Sequence, residues 1–287
     1  MTQLEQAESA FAAARPRLFG IAYRMTGSVA DAEDLVQEVW VRWQLADRAS
    51  VINPEAYLAT AITRLAINES QTARARRETY VGPWLPEPVD TAADPQLGAE
   101  RGAVLELAVL LLLEKLTPTE RAAYVLREAF DYPYREIAEI VQTSEVAARQ
   151  LVSRARKHLA DERRVPVEPA EQRKLLEAFV AAAQAGDLAA LEKLFAEDVV
   201  SYSDSNGAVR AAGRPLFGAA TLAKIFAAWA PKFWAGADVG FVDANGLSAV
   251  RLRKDGTTYA VITVTASSEG IDQVMWLVNP EKLNAFQ

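Results

Sequence analysis

The run YREIAEIVQTSEVAARQLVSRARKHL, residues 134–159, constrains the fold of this chain more than any other stretch. Its helical period predicts a short helix over 134–141, a two-residue break and a longer helix over 144–159. In the second helix Ala147, Leu151, Ala155 and Leu159 recur every fourth residue and are expected to pack inward. Arg149, Gln150, Ser153, Arg154 and Lys157 share another face. Their guanidinium, amide and hydroxyl groups are those that bond base edges and phosphates in a major groove. Thr143 is expected to cap this helix, with Glu145 in the first turn where the helix dipole favours a carboxylate. Gln142 stands where Gly commonly relieves a left-handed kink, at a cost of about 1 kcal/mol. The pattern reads as a helix-turn-helix with the second helix as reader. A helical hairpin with a solvated basic face is the competing reading.

The rest of the chain sets the context. Its 287 residues suffice for two or three domains, and a half-apolar, quarter-charged composition is that of a soluble globular protein. The absence of Cys removes disulfides and thiolate chemistry, and the single His, His158, leaves no histidine cluster for catalysis or metal binding. No metal and no cofactor are expected. The N-terminus lacks the apolar run of a signal peptide, and the apolar segment 104–113 is too short to span a membrane. A cytoplasmic location, with no membrane partner, is the expectation. The net charge is −7, yet residues 149–164 carry six Arg/Lys against two acids and residues 64–77 four against one. Local basic patches on an acidic chain imply weak unaided DNA affinity and binding with a partner.

Helices are expected over 3–25, kinked at Pro16, and over 31–43, where Leu35, Val36, Val39, Trp40 and Trp43 form an apolar stripe. Asp31, Asp34, Gln37, Glu38 and Arg42 lie off that stripe. Asn53-Pro54-Glu55 opens a third helix ending in the basic ARARR of residues 73–77. Residues 81–96 hold four prolines and read as an extended linker, but its WLPEP, residues 84–88, carries a Trp and a Leu that the linker itself cannot bury. Helix is expected to resume at Ala99 and end near Leu116, before the capping box Thr117-Pro118-Thr119-Glu120. Beyond residue 169 come two helices, then strands of period two with a helix over 220–234 among them. Asn245-Gly246 and Asp255-Gly256 signal hairpins. The expectation is a curved antiparallel sheet in an α+β domain.

These motifs resemble a known family. The 31–43 helix is similar to the one by which bacterial sigma factors grip the clamp helices of the RNA polymerase β′ subunit. Arg64-Leu-Ala-Ile-Asn68 with the ARARR run resembles the element that melts and reads the −10 promoter sequence, and the helix-turn-helix resembles the −35 reader. WLPEP and the Asn279-Pro280-Glu281-Lys282-Leu283 segment resemble those of the extracytoplasmic-function group that carries a SnoaL-like C-terminal extension. Asp204-Ser-Asn-Gly-Ala208 departs from that group's Gly-rich DGGGK-type stretch.

The resemblance implies a multidomain protein, with all-α sigma domains 2 (1–80) and 4 (99–164) joined by a linker (81–98). An α+β SnoaL-like cone (170–287) follows as a fused regulator. It implies an alternative-sigma initiation factor that is not an enzyme. The implied partners are core RNA polymerase, through the β′ clamp helices and β flap, and promoter DNA, with no separate anti-sigma factor. Asp31, Asp34, Leu35, Gln37, Glu38 and Arg42 are the implied polymerase contacts. Arg64, Asn68, Arg74, Arg76, Arg77 and Tyr80 are those to the −10 element. For the −35 element, Arg149 and Gln150 are assigned to bases, and Arg154, Arg156 and Lys157 to phosphates, with Ser153 on the same face. Trp84, Leu85, Pro86, Asn279, Pro280, Lys282 and Leu283 are expected to form a regulatory contact. Two alternatives stand beside this: a small-molecule-binding or enzymatic cone fused to a DNA-binding module, and a simple repressor. Tyr202, Asp204, Asp243 and Asp272 are the candidate acid/base groups of an enzymatic cone. An acidic 31–43 helix has no use in a repressor.

Overall fold

The computed structural model describes residues 3–93 and 104–287. The chain divides into two compact units, one taking residues up to Glu78 and on to Glu162 after the linker, the other Thr79–Ala93 with Arg163–Gln287.

The first unit is helical. It comprises α1 (Gln3–Thr26), α2 (Val29–Leu45), α3 (Pro54–Glu78), α4 (Leu107–Leu113), α5 (Pro118–Glu128), α6 (Tyr134–Ile140) and α7 (Glu145–Glu162). Ser28 caps α2 by accepting the Asp31 amide, and Asn53 does the same for the Ala56 amide at the start of α3. The capping box at Thr117 and Glu120 forms as expected. The helix expected over 99–116 is shorter: Glu106 is extended, so α4 starts at Leu107, and residues 99–103 lie outside the described residues. Gln142 does adopt the left-handed conformation, at φ 57°. Ser144, not Thr143, caps α7 by accepting the Ala147 amide. The buried stripe is Ala148, Val152, Ala155 and Leu159 rather than the expected one through Ala147 and Leu151.

Two halves of this unit meet at the C-terminal end of α1, where helix carbonyls lack intrahelical partners. Buried Arg121 of α5 donates to the Met25 carbonyl at 2.6 Å, and Ser70 of α3 to the same oxygen at 3.3 Å. Cations at a helix C-terminus also complement its dipole.

The second unit carries α8 (Pro169–Ala185), α9 (Leu188–Leu194), β1 (Phe195–Asp204), β2 (Leu216–Phe217), α10 (Ala219–Phe233), β3 (Asp238–Ala244), β4 (Leu247–Lys254), β5 (Thr257–Ser267) and β6 (Gly270–Leu277). The sheet order is β2-β1-β6-β5-β4-β3. Both hairpin turns form with positive φ at each central residue, Asn245-Gly246 and Asp255-Gly256, as a primed turn requires. The sheet is not wholly antiparallel: β1 and β6 pair in parallel, Ser203 opposite Trp276. Hairpin signals report only neighbours joined by short turns, and this pair is far apart in sequence. The helices and sheet enclose an aromatic core in which Phe179, Phe195, Phe226 and Trp276 meet at ring distances of 5.2–6.1 Å.

Candidate functional site

On α2 the exposed face holds Asp34, Gln37, Glu38, Val41, Arg42 and Leu45, with Asp31 half-buried at its start. Arg42 pairs with Glu38 one turn back at 2.5 Å. Leu35 is only 6 % exposed and belongs to the packing beneath, with Val36, Val39 and Trp43. At spacings of four, three and seven from Asp31, Glu38 and Arg42, Leu35 sits beneath the edge of their face rather than exposed on it. Val41 and Leu45, at 48 % and 82 % exposed, complete the face instead. Acids flanked by uncovered aliphatic residues suit a basic, partly apolar partner helix.

The −10 set does not stay together. Asn68 is exposed on α3 and its side chain has no partner among the described residues. The side chains of Arg74 and Arg76 lie outside the described residues. Arg77 points inward, donating to the Thr26 carbonyl and pairing with Glu114. Arg64 donates to the Ile140 and Glu139 carbonyls at the end of α6, both at 3.0 Å. These two guanidiniums are spent on helix C-termini, which attract cations as a phosphate does. Tyr80 belongs to the second unit and is described with the linker below.

On α7 all six candidates are exposed, but they differ in what holds them. Arg149 pairs with Glu145 at 2.6 Å and covers the Tyr134 ring at 4.4 Å. Arg156 is bound by Glu128 of α5 at 2.6 Å, and that bond raises its pKa further. In the free chain this pair ties α7 to α5. Arg154 lies 3.6 Å from Glu120. Gln150, Ser153 and Lys157, at spacings of three and four on one stripe, have no side-chain partner among the described residues.

In the second unit the linker is strapped to the cone at two places. The first is Asp204, at the end of β1 and fully buried. Its carboxylate accepts the Tyr80 hydroxyl, the Leu85 amide at 2.7 Å and the Lys282 ammonium at 2.7 Å. Lys282 also donates to the Leu85 carbonyl, and Asn279 donates to Tyr80 at 3.0 Å. Burial, then the bond to Asp204, pushes the Tyr80 phenol well above its ordinary pKa. Tyr80, expected at the −10 element, has its hydroxyl engaged by Asp204 and Asn279 here. Leu85 is the buried apolar anchor at 0 % exposure, and Pro86 is buried beside it. Trp84 stays half-exposed, with the Lys282 ammonium 4.5 Å from its ring centre. Leu283 is buried, whereas Pro280 is exposed and only opens a turn capped by Asn279.

The second strap is the β3–β4 hairpin. Asn245 accepts the Val89 amide at 2.9 Å and returns its own amide to the Val89 carbonyl at 3.0 Å, while the Thr91 amide bonds the Asp243 carbonyl. The hairpin Asn245 was legible only as a turn residue. The departure from DGGGK also lies against the linker: Asn206 accepts the Val81 amide at 3.4 Å, and a Cβ on Gly207 would lie 3.4 Å from Val81. Of the four acid/base candidates, Asp204 is consumed by the strap and Asp272 is bound by Arg164 at 2.6 Å. Asp243 is exposed and Tyr202 half-buried, so no acid/base pair is assembled.

A reader helix, an acidic partner face and a strapped linker define a multidomain DNA-binding transcription factor. The comparisons name its family. Sigma-70 region 2 matches residues 10–77 and Sigma-70, region 4 matches residues 106–159. The chain is similar to the ECF RNA polymerase sigma factor SigJ of Mycobacterium tuberculosis, 42 % identical over 216 residues that cover 73 % of this chain and 69 % of that protein. It is 31 % identical over 217 residues to the probable ECF RNA polymerase sigma factor SigI of the same species, covering 74 % and 75 % of the two chains. The crystal structure of M. tuberculosis SigJ superposes with a TM-score of 0.78 at 33 % identity, over 96 % of this chain and 98 % of that one. The chain belongs to the ECF RNA polymerase sigma factors. It is an alternative-sigma initiation factor, not an enzyme, that binds core RNA polymerase and promoter DNA and carries a fused C-terminal extension. Among the described residues, no helix is long and apolar enough to cross a membrane.

Proposed function

We propose that the C-terminal extension is a built-in regulator that acts by holding the linker between the two promoter-reading domains. The observation that carries this is the Asp204 carboxylate, buried and shared among Tyr80, Leu85 and Lys282. The first unit supports the inhibitory sense. Promoter elements centred near −10 and −35 lie roughly 80 Å apart along B-form DNA at about 3.4 Å per base pair. In this unit Arg64 of the −10 side instead lies 3.0 Å from a carbonyl of the helix-turn-helix. Both elements are read together only after that seam opens, and a linker strapped at both ends restricts the opening.

Within the open form, Asp31, Asp34, Gln37, Glu38 and Arg42 grip the β′ clamp helices, and the helix-turn-helix domain meets the β flap. Asn68 serves the −10 element. Gln150 with Arg149 reads −35 bases, and Lys157 and Arg154 hold phosphates with Ser153 between them. A regulator in the same chain removes the need for a separate anti-sigma factor, and the protein works in the cytoplasm with its polymerase.

Lys282→Ala tests the proposal, because Lys282 belongs to the strap and not to the apolar core of the cone. Run-off transcription with core polymerase is expected to rise several-fold over wild type. Unchanged or reduced transcription from a variant with wild-type circular dichroism rules out an inhibitory strap.

A further inference from the structure

The cone holds a cavity of about 710 Å³, within the range of small-molecule sites. Its floor comes from two neighbouring strands. Ser201 and Ser203 alternate on β1, Trp276 lies opposite Ser203 on β6, and Val278 follows two residues on, so all four face one side of the sheet. The alternation that turns Ser203 toward the cavity turns Asp204 toward the linker. From α10, Phe226, Trp229 and Phe233 recur at spacings of three and four and form an aromatic wall.

The polar groups in this cavity are unusual in sign and in state. Every titratable cationic or acidic side chain lining it is a cation: Arg210, Lys232 and Lys254. Among the described residues no carboxylate lines it, on a chain whose net charge is −7. All three cations are exposed, and neither Arg210 nor Lys232 has an ion-pair partner among the described residues. Lys254 reaches only the Ala235 carbonyl, at 3.5 Å. At the other end, the Trp276 indole N–H is buried without an acceptor in a residue only 8 % exposed. Ser201 and Ser203, residues only 2 % and 8 % exposed, also have no side-chain partner among the described residues. Buried polar groups are normally satisfied, and an orphaned indole donor on the floor marks a place for a ligand acceptor.

We infer that this cavity is a binding site for a small apolar molecule bearing one acidic group, with the apolar body against the α10 aromatics and the anion among Arg210, Lys232 and Lys254. An acceptor atom on the body meets the Trp276 indole. The three cations attract the anion at the mouth, where partial burial of a bound ligand lowers the screening they feel. A neutral molecule of the same shape gains only the apolar term.

Two dyes of one skeleton separate these contributions: 8-anilinonaphthalene-1-sulfonate, and N-phenyl-1-naphthylamine, which lacks the sulfonate. Full-length protein is titrated with each by fluorescence, and the Trp276 indole N–H is followed by NMR after assignment through Trp276→Phe. The sulfonate is expected to bind one site saturably and shift that resonance. In Lys232→Glu/Lys254→Glu its affinity is expected to fall at least tenfold, while the neutral dye changes less than twofold. Should the double variant lose both dyes, Arg210→Glu makes the same comparison from a different element. The inference is overturned by absence of saturable binding, by an indole resonance that does not move, or by sulfonate affinity indifferent to both reversals.

Discussion

The seam inside the helical unit and the strap on the cone are both built from cations and backbone oxygens, yet they differ in what surrounds the charges. At the seam, Arg64 reaches two carbonyls from an exposed position, and Arg17, one-third exposed on its side chain, reaches the Phe130 carbonyl at 3.2 Å. Water competes for every one of those bonds, so each contributes about 1 kcal/mol. At the strap, Asp204 is fully buried and Lys282 nearly so, with Leu85 sealing them. Breaking a buried pair leaves an uncompensated charge, which costs about 3–5 kcal/mol. The same chemistry therefore makes a weak, reversible contact in one unit and a firm one in the other. Arg121 and Arg77 are exceptions at the seam: Arg121 is 4 % exposed and bonded to Leu113, Met25 and Glu114, and Arg77 points inward to the Thr26 carbonyl and Glu114.

The sharpest break of this comparison is Asp204→Ala. It strands the Lys282 ammonium, the Tyr80 hydroxyl and the Leu85 amide together, and is expected to destabilise linker docking by about 3–5 kcal/mol. Hydrogen exchange at the Leu85 amide reads it directly: protection in wild type and near-complete loss in the variant. Retained protection would mean that the apolar contact alone holds the strap.

Leu85→Ala comes next, at about 2–4 kcal/mol for truncating a fully buried Leu. Denaturant unfolding of the full chain, with proteolysis at residues 79–93 as the local probe, measures it. A loss under about 1 kcal/mol would assign Leu85 a spacer role and leave the strap purely polar.

The order of these two effects bears on what was legible in the sequence. Local rules found the capping box, both hairpin turns, the left-handed Gln142 and the helix order, because each rests on a few adjacent residues. They identified WLPEP as a segment needing a groove but did not separate Trp84 from Leu85, since the shape of the receiving groove is not visible in sequence. They placed Asp204 among acid/base candidates, because nothing nearby reveals that Tyr80, Leu85 and Lys282 converge on it from as far as 124 residues away. The basic residues of α3 and α7 illustrate the same limit. Composition gives their number, but Arg77 and Arg156 are drawn to Glu114 and Glu128, partners that only folding supplies.

Arg64→Ala probes the weaker member of the comparison. It removes two charge-assisted bonds, one exposed and one part-buried, and is expected to loosen the seam by about 1 kcal/mol, with a smaller effect as salt is raised. The distance between labels placed on α3 and α6, followed by energy transfer in low and high salt, checks this. A change as large as that of Asp204→Ala would erase the distinction between the two contacts.

Trp84→Ala should have the smallest effect, although Trp84 is the larger residue of the pair. Its ring is half-exposed, and its clearest interaction is with the Lys282 ammonium 4.5 Å from the ring centre. A cation–π contact at such a site contributes about 0.5–1 kcal/mol. Lys282 keeps Asp204 and the Leu85 carbonyl when the ring is removed, so its charge stays compensated. The same exchange and proteolysis measurements on Trp84→Ala and Leu85→Ala, side by side, give the comparison its final test. The expected ranking is Leu85 well above Trp84. The reverse ranking would make the exposed ring the true anchor, and the buried leucine a consequence of where the ring sits.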